Sequence, residues 1–193
     1  MEQQRPFRPA SHGGNRSERL SRFLALVLRH KPESIGLELD PSGFADVDAL
    51  VKAVADQPGW DWVTEQEVRG LVQHDPRRYE IDGTRMRARY GHSIPVETPG
   101  RSVLPPEWLY HGTVGTALEA IRVGGLRPLG RQYVHLSATR QDAISVAKRH
   151  SDEVVLVTVL ARRAHEAGFA FYQAAPSIYL VREVPPEFLS AGD

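Results

Sequence analysis

The chain has 193 residues, with 24 Lys plus Arg against 24 Asp plus Glu, so no net field draws it onto nucleic acid or an anionic membrane. It holds no cysteine, which excludes disulfides, thiolate catalysis and cysteine zinc sites and fits a reducing, cytoplasmic setting. The opening "MEQQRPFRPASHGGNRSE" lacks the apolar run of a signal peptide, no later stretch is apolar enough to span a bilayer, and the length suits one large domain or two small lobes.

Residues 1–16 read as a loose tail. Leu20, Phe23, Leu24, Val27 and Leu28 then recur at helical spacing, with Asn15 or Ser17 available as the cap. A second helix is expected after Asp46, burying Val47, Leu50, Val51 and Val54, and a third after Thr64, which stands in capping-box register with Glu67 ahead of Val68, Leu71 and Val72. The period then becomes two. Tyr79 and Ile81 precede the turn pair Asp82-Gly83, and Met86, Ala88 and Tyr90 follow it, as in a hairpin. Three helices and a hairpin predict a winged-helix lobe over 17–92.

Residues 93–106 are proline-rich and follow neither period, which marks a linker. A second, mixed α/β lobe is expected over 107–193, making the whole chain α+β. Its strands are "WLYHGT", "QYVHLS", the β-branched run Val154 to Leu160 with both faces covered, and segments near Phe169 to Tyr172 and Ile178 to Val181. Helices are expected through Leu118 and Ile121, ending at Gly124-Gly125, and after Thr139.

The pair Arg29-His30 closes the first helix. At 100° per residue Arg29 falls nearly opposite the centre of the apolar stripe and His30 at its edge. Cations in a last turn complement the helix dipole, and Pro32 ends the helix, which is reason enough for the pair. The same two groups can instead fork onto a phosphate and move a proton there. In the second lobe, His111, Gly112 and Thr113 end one expected strand while His135 and Ser137 end another. Imidazoles, hydroxyls and a glycine backbone open to close approach can read a ribose and an amide. Singly, each histidine reads as a core residue. The eight histidines show no metal-ligand spacing, so no metal site is expected.

The runs "LSRFLALVLRHKPESIGLELDPSGFADVDALV", "RRYEI", "RARYGHSI", "LYHGT", "GRQYVHLS" and "VPPEFL", in that order between Leu20 and Leu189, resemble the KptA-type RNA 2′-phosphotransferases. The resemblance implies a winged-helix lobe that binds RNA, an ADP-ribosyltransferase-like lobe that binds NAD, and a cleft between them. It implies a catalytic tetrad at Arg29, His30, Arg78 and Arg131, and NAD contacts from His111, Gly112, Thr113, His135 and Ser137. NAD would be consumed as a co-substrate. The RNA 2′-phosphate attacks the nicotinamide ribose, giving a 2′-phospho-ADP-ribosylated RNA. Transesterification then releases 2′-OH RNA and ADP-ribose 1″,2″-cyclic phosphate, nicotinamide having left in the first step.

Many protein-modifying ADP-ribosyltransferases carry a glutamate on a late strand, where this chain has Ile178; a shifted register would bring Glu183 instead. A carboxylate beside a phosphate dianion would repel it. The chain also departs from its family at Pro176-Ser177, where relatives carry an Asn-Gly turn. Two other readings stay open: an ADP-ribosyltransferase that caps a terminal nucleic-acid phosphate, and a nucleic-acid-binding module without turnover. A tRNA substrate from splicing is implied by the resemblance alone, and a cleft within one chain leads to the expectation of a monomer.

Overall fold

In the computed structural model, residues 16–97, 101–149 and 151–191 are described. They form a mixed α/β structure with six α-helices and two antiparallel sheets. The first helix, α1 (Arg16–Arg29), buries Leu20, Phe23, Leu24, Val27 and Leu28, the five positions its spacing predicts. Ser17 lies inside its first turn instead of capping it, and Asn15 falls outside the described residues.

Helix α2 (Val47–Ala55) begins where Asp46 accepts a hydrogen bond from the Ala49 N–H at 3.0 Å. Helix α3 (Glu65–His74) begins where Thr64 accepts one from the Glu67 N–H and its hydroxyl meets the Glu67 carboxylate. Both caps satisfy donors that a helix start leaves unpaired. The hairpin strands β2 (Tyr79–Asp82) and β3 (Arg85–Ala88) flank the turn, with Gly83 at φ +61°. A short strand that the alternation did not reveal, β1 (Phe44–Asp46), pairs with the other side of β3, giving the order β1-β3-β2. Three residues are too few to display a period. Tyr79 and Met86 from this sheet are fully buried against Leu24, Leu28, Leu50 and Val68 from the helices.

The second sheet holds β4 (Leu109–Thr113), β5 (Val134–Ser137), β6 (Val155–Val159), β7 (Phe171–Ala175), β8 (Ile178–Val181) and β9 (Leu189–Ala191), in the order β7-β8-β5-β4-β6-β9. Its helices are α4 (Leu118–Gly124), α5 (Arg140–Ala147) and α6 (Ala161–Glu166). The run in β6 was expected to be covered on both faces. Instead Val157 and Val159 are buried while Val155, Leu156 and Thr158 are half-buried, so one face is sealed and the other only partly. Its apolar composition fits an interior strand, with β4 on one side and β9 on the other. Helix α6 and strand β9 escaped the sequence reading because α6 buries only two alanines and β9 is three residues long.

The described parts of 93–106 contain no helix or strand, but they are tied down. The Glu97 N–H donates to the Pro41 carbonyl, the Val103 N–H to the Phe171 carbonyl, and Arg162 Nε to the Pro105 carbonyl. Just upstream, the Gln132 N–H donates to the His92 carbonyl at 3.1 Å. That bond joins the segment leaving β3 to the segment entering β5, and the two sheets meet there.

Candidate active site

Helix α1 ends at Arg29, and the chain leaving β3 returns to lie across that end. The Ser93 N–H donates to the Arg29 carbonyl at 3.0 Å. Gly91 adopts φ +91°, and a Cβ built on it would stand 3.4 Å from the Arg29 side chain, so the backbone lies flush on the arginine. The Tyr90 ring covers Arg29 with its centroid 5.1 Å from Cζ. Tyr90 also meets the His135 ring, with 5.6 Å between centroids. Enclosed in this way, Arg29 Nε and Nη2 are buried and have no hydrogen-bond partner among the described residues. His30 places Nδ1 2.9 Å from the Ser93 hydroxyl.

Arg78 enters from the α3–β2 connection. Its Nη1 donates to Ser21 Oγ at 2.7 Å, and its Nε lies 3.4 Å from Asp75 Oδ2. The neighbouring Tyr79 hydroxyl donates to the Ser21 carbonyl at 2.6 Å, so one residue of α1 fixes both. Arg131 closes a tight turn in which its N–H donates to the Pro128 carbonyl, with Leu129 at φ +44° and Gly130 at φ +88°. Positive φ at both central residues is a primed turn, and a leucine there is strained. Arg131 is exposed, and its Nη1 reaches His135 Nδ1 at 3.5 Å.

Of the expected tetrad, Arg29 lies within electrostatic reach of His30, Arg78 and Arg131, and His30 within reach of Arg131. Burial pushes the Arg29 pKa down most; Tyr79 and Tyr90 raise it, and Arg78 and Arg131 lower it. His30 is pushed below its ordinary value by burial, then by Arg29 and Arg131. Among the described residues no carboxylate pairs with Arg29 or Arg131. Unopposed guanidiniums beside a neutral imidazole make a place for an anion.

His111 Nδ1 lies 3.0 Å from the His135 carbonyl. A carbonyl can only accept, so the ring proton is on Nδ1 and Nε2 carries the lone pair. His135 faces the opposite demand. Arg131 can only donate, so His135 Nδ1 accepts and its proton sits on Nε2, which is buried without a partner. Burial, then Arg131 and Arg29, push the His135 pKa down to about 3, and the ring is neutral. Burial likewise lowers that of His111.

The other expected NAD contacts are less concentrated. His111 sits in the middle of β4, not at its end. A Cβ on Gly112 would lie 2.5 Å from the Ala143 carbonyl oxygen and 2.7 Å from the Ala147 Cβ, so α5 fills the space that the sequence reading left for a ligand. Tyr110 pairs with Ser137, three positions before Thr113, which separates the two hydroxyl residues by roughly 10 Å along the sheet. Ser137 also pairs with Ile178 of β8, and Glu183 lies two residues beyond that strand, exposed. Pro176 and Ser177 form the two-residue link between β7 and β8, where Gln173 Nε2 donates to the Pro176 carbonyl.

The sequence reading assigned no role to Tyr90, Gly91, His92 or Ser93, although these residues touch Arg29, His30 and the strand bearing His135. Their sequence signal is the run "RARYGHSI", which carries part of the family resemblance without singling out any of the four for the site. His92 is buried, its pKa pushed down to about 4 by burial, then by Arg29, His30 and Arg87. It lines a cavity of about 30 Å³ with Tyr90, Gly91, Gln132 and His135, adjoining the tetrad but not walled by it. A more open depression of about 480 Å³ lies beside Val96, Gln132, Tyr133 and Arg182. No metal-binding cluster occurs among the described residues, and none of their helices is long and apolar enough to cross a membrane.

Arg29 and Arg131, from the two halves of the chain, both lie near His30 without a carboxylate partner among the described residues, an arrangement suited to an anion. Residues 15–183 match the family described as RNA 2′-phosphotransferase, Tpt1 / KptA family. The chain is 41% identical to a Thermococcus kodakarensis protein named "Probable RNA 2′-phosphotransferase", over 90% of this chain and 96% of that one. A Streptomyces coelicolor protein of the same name is 41% identical over 90% and 94%, and one from Pyrococcus furiosus is 37% identical over 92% and 97%. The chain belongs to the RNA 2′-phosphotransferase family and is a transferase.

Proposed function

We propose that this protein is an NAD-dependent RNA 2′-phosphotransferase, and the observation that carries the reading is the Arg29 guanidinium, whose Nε and Nη2 are buried and unpartnered among the described residues. Desolvating a charge without a partner costs several kcal/mol, a cost that a phosphate dianion held there would offset. In this reading residues 17–92 form a winged-helix lobe that binds RNA and 107–193 an ADP-ribosyltransferase-like lobe, joined by 93–106.

Arg29, Arg78 and Arg131 hold the RNA 2′-phosphate and disperse the charge that develops on its oxygens. NAD is the co-substrate. His135 presents a buried Nε2–H to an acceptor, and His111 presents an Nε2 lone pair to a donor, as a ribose hydroxyl and an amide require. Gly112, Thr113 and Ser137 contribute main-chain and hydroxyl groups on the same sheet. In the first step a phosphate oxygen forms a bond to the ribose C1″ while the bond to nicotinamide breaks, and the amine leaves neutral without an acid. In the second, the 2″-hydroxyl attacks phosphorus and the RNA 2′-oxygen departs. One proton is taken and one given, and His30, neutral beside Arg29 and Arg131, is placed to shuttle it.

The test is incubation with NAD and an oligonucleotide carrying an internal 2′-phosphate, followed by mass detection of ADP-ribose 1″,2″-cyclic phosphate. Arg29→Ala or Arg78→Ala should block the first step, and His30→Ala or Arg131→Ala should accumulate ADP-ribosylated RNA. Wild-type protein that stops at ADP-ribosylated RNA would identify a phosphate-capping enzyme instead. Absence of NAD turnover would leave a binding module.

A further inference from the structure

The His30 ring can be set in two ways, because a serine hydroxyl both donates and accepts. Which way it is set decides whether the ring's other nitrogen offers a lone pair or a proton. We propose that Ser93 is a positioning residue for His30: its Oγ accepts a hydrogen bond from Nδ1–H, which leaves the Nε2 lone pair as the base. The inference rests on the proton-shuttle role given to His30 above.

Three features of the structure carry it. The Ser93 main chain is pinned independently of its side chain, since its N–H donates to the Arg29 carbonyl at 3.0 Å. The hydroxyl is thus delivered to within 2.9 Å of Nδ1 by the same residue that closes the end of α1. His30 Nε2 has no hydrogen bond to protein among the described residues, so among them Ser93 is the one side chain that hydrogen-bonds the ring. A shuttle working through Nε2 must keep Nδ1 protonated throughout, whether the ring is neutral or cationic, and an acceptor at Nδ1 does that.

The chemical type of the acceptor also fits. The groups facing His30 are Arg29 on its own helix, Arg131 from the turn before β5, and His92 and Ser93 from the segment after β3. A carboxylate in the place of Ser93 would stabilise the imidazolium and pair with the arginines. A hydroxyl orients the ring without neutralising the charges that the phosphate needs. The ring therefore stays neutral and able to take the 2″-hydroxyl proton.

The test uses the full-length protein with ¹⁵N-labelled histidine, comparing wild type, Ser93→Ala and Ser93→Thr, with His30→Gln to assign the signal. Ser93 is exposed, so its truncation leaves the fold intact and keeps the main-chain bond to Arg29. Two-bond ¹H–¹⁵N correlation spectra of the unliganded protein should show His30 as the Nδ1–H tautomer in wild type and Ser93→Thr. In Ser93→Ala the signal should move toward the Nε2–H form. In single-turnover assays Ser93→Ala should slow conversion of ADP-ribosylated RNA on the order of tenfold while its formation changes less than about twofold, and Ser93→Thr should restore the rate. An Nε2–H tautomer in wild type, an unchanged tautomer in Ser93→Ala, or equal slowing of both steps would overturn the assignment. The spectra decide it even if wild type fails to turn over NAD, a result that would sink the functional reading instead.

Discussion

Gly112→Ala separates two reasons for a glycine in β4. The Cβ of alanine would stand 2.5 Å from the Ala143 carbonyl oxygen and 2.7 Å from the Ala147 Cβ, against an ordinary contact distance of at least 3.4 Å. Neither neighbour is the free end of a flexible side chain, so α5 must withdraw by about 1 Å along its length. Overpacking of this kind costs about 2 kcal/mol, and for a chain of this size that lowers the melting temperature by about 4–8 °C. Thermal and urea denaturation of the variant measure the loss directly. If instead the glycine serves close approach of a ligand, Gly112→Ala would melt like wild type and raise KM for NAD. That outcome would refute the packing account of this position.

Tyr79→Phe removes the 2.6 Å hydrogen bond to the Ser21 carbonyl from a fully buried ring and should cost about 1–2 kcal/mol in urea unfolding, with a change below about 0.3 kcal/mol counting against the tie between α1 and β2. His92 titrates at about 4 in the fold against 6.5 unfolded, so as pH falls from 6.5 toward 4 the unfolded chain takes up the proton first and stability is lost in that window, while above it the contribution is fully retained. His92→Gln should therefore flatten the dependence of stability on pH by about 1.4 kcal/mol per unit between pH 6 and 4.5, and a slope equal to that of wild type would show that His92 protonates freely in the fold. Arg29→Lys keeps the charge but loses the planar face lying on Tyr90, and should lower the single-turnover rate of nicotinamide release at least about tenfold; an undiminished rate would mean that charge alone suffices.

The helices other than α6, and the hairpin, were legible because each obeys a rule that acts over a few residues. Asp46 and Thr64 cap where their side chains reach the backbone three residues on, and Leu20, Leu24 and Leu28 repeat on one face of α1. Strands β1 and β9 were not legible, since three residues contain barely one alternation and their pairing is set by partners far along the chain. Gly112 shows the same limit from the other side. Its position in the sequence suits a ligand loop or a helix contact equally, and only the approach of α5 decides between them.

The site divides along the same line. A helical wheel places Arg29 away from the buried stripe of α1, where a cation in the last turn would be solvated and would favour the helix dipole. The wheel is right about direction and wrong about environment, because Tyr90 and Gly91 return from the hairpin and cover that side. A residue recruited only to complement the dipole would gain about 0.3–1 kcal/mol and remain in water. Arg29 instead gives up the solvation of Nε and Nη2, and no protein acceptor replaces it. A desolvation cost of several kcal/mol exceeds anything the helix end returns, so capping does not explain the burial. In the proposed reaction the compensation comes from outside the chain, from the RNA 2′-phosphate accepting at Nε and Nη2.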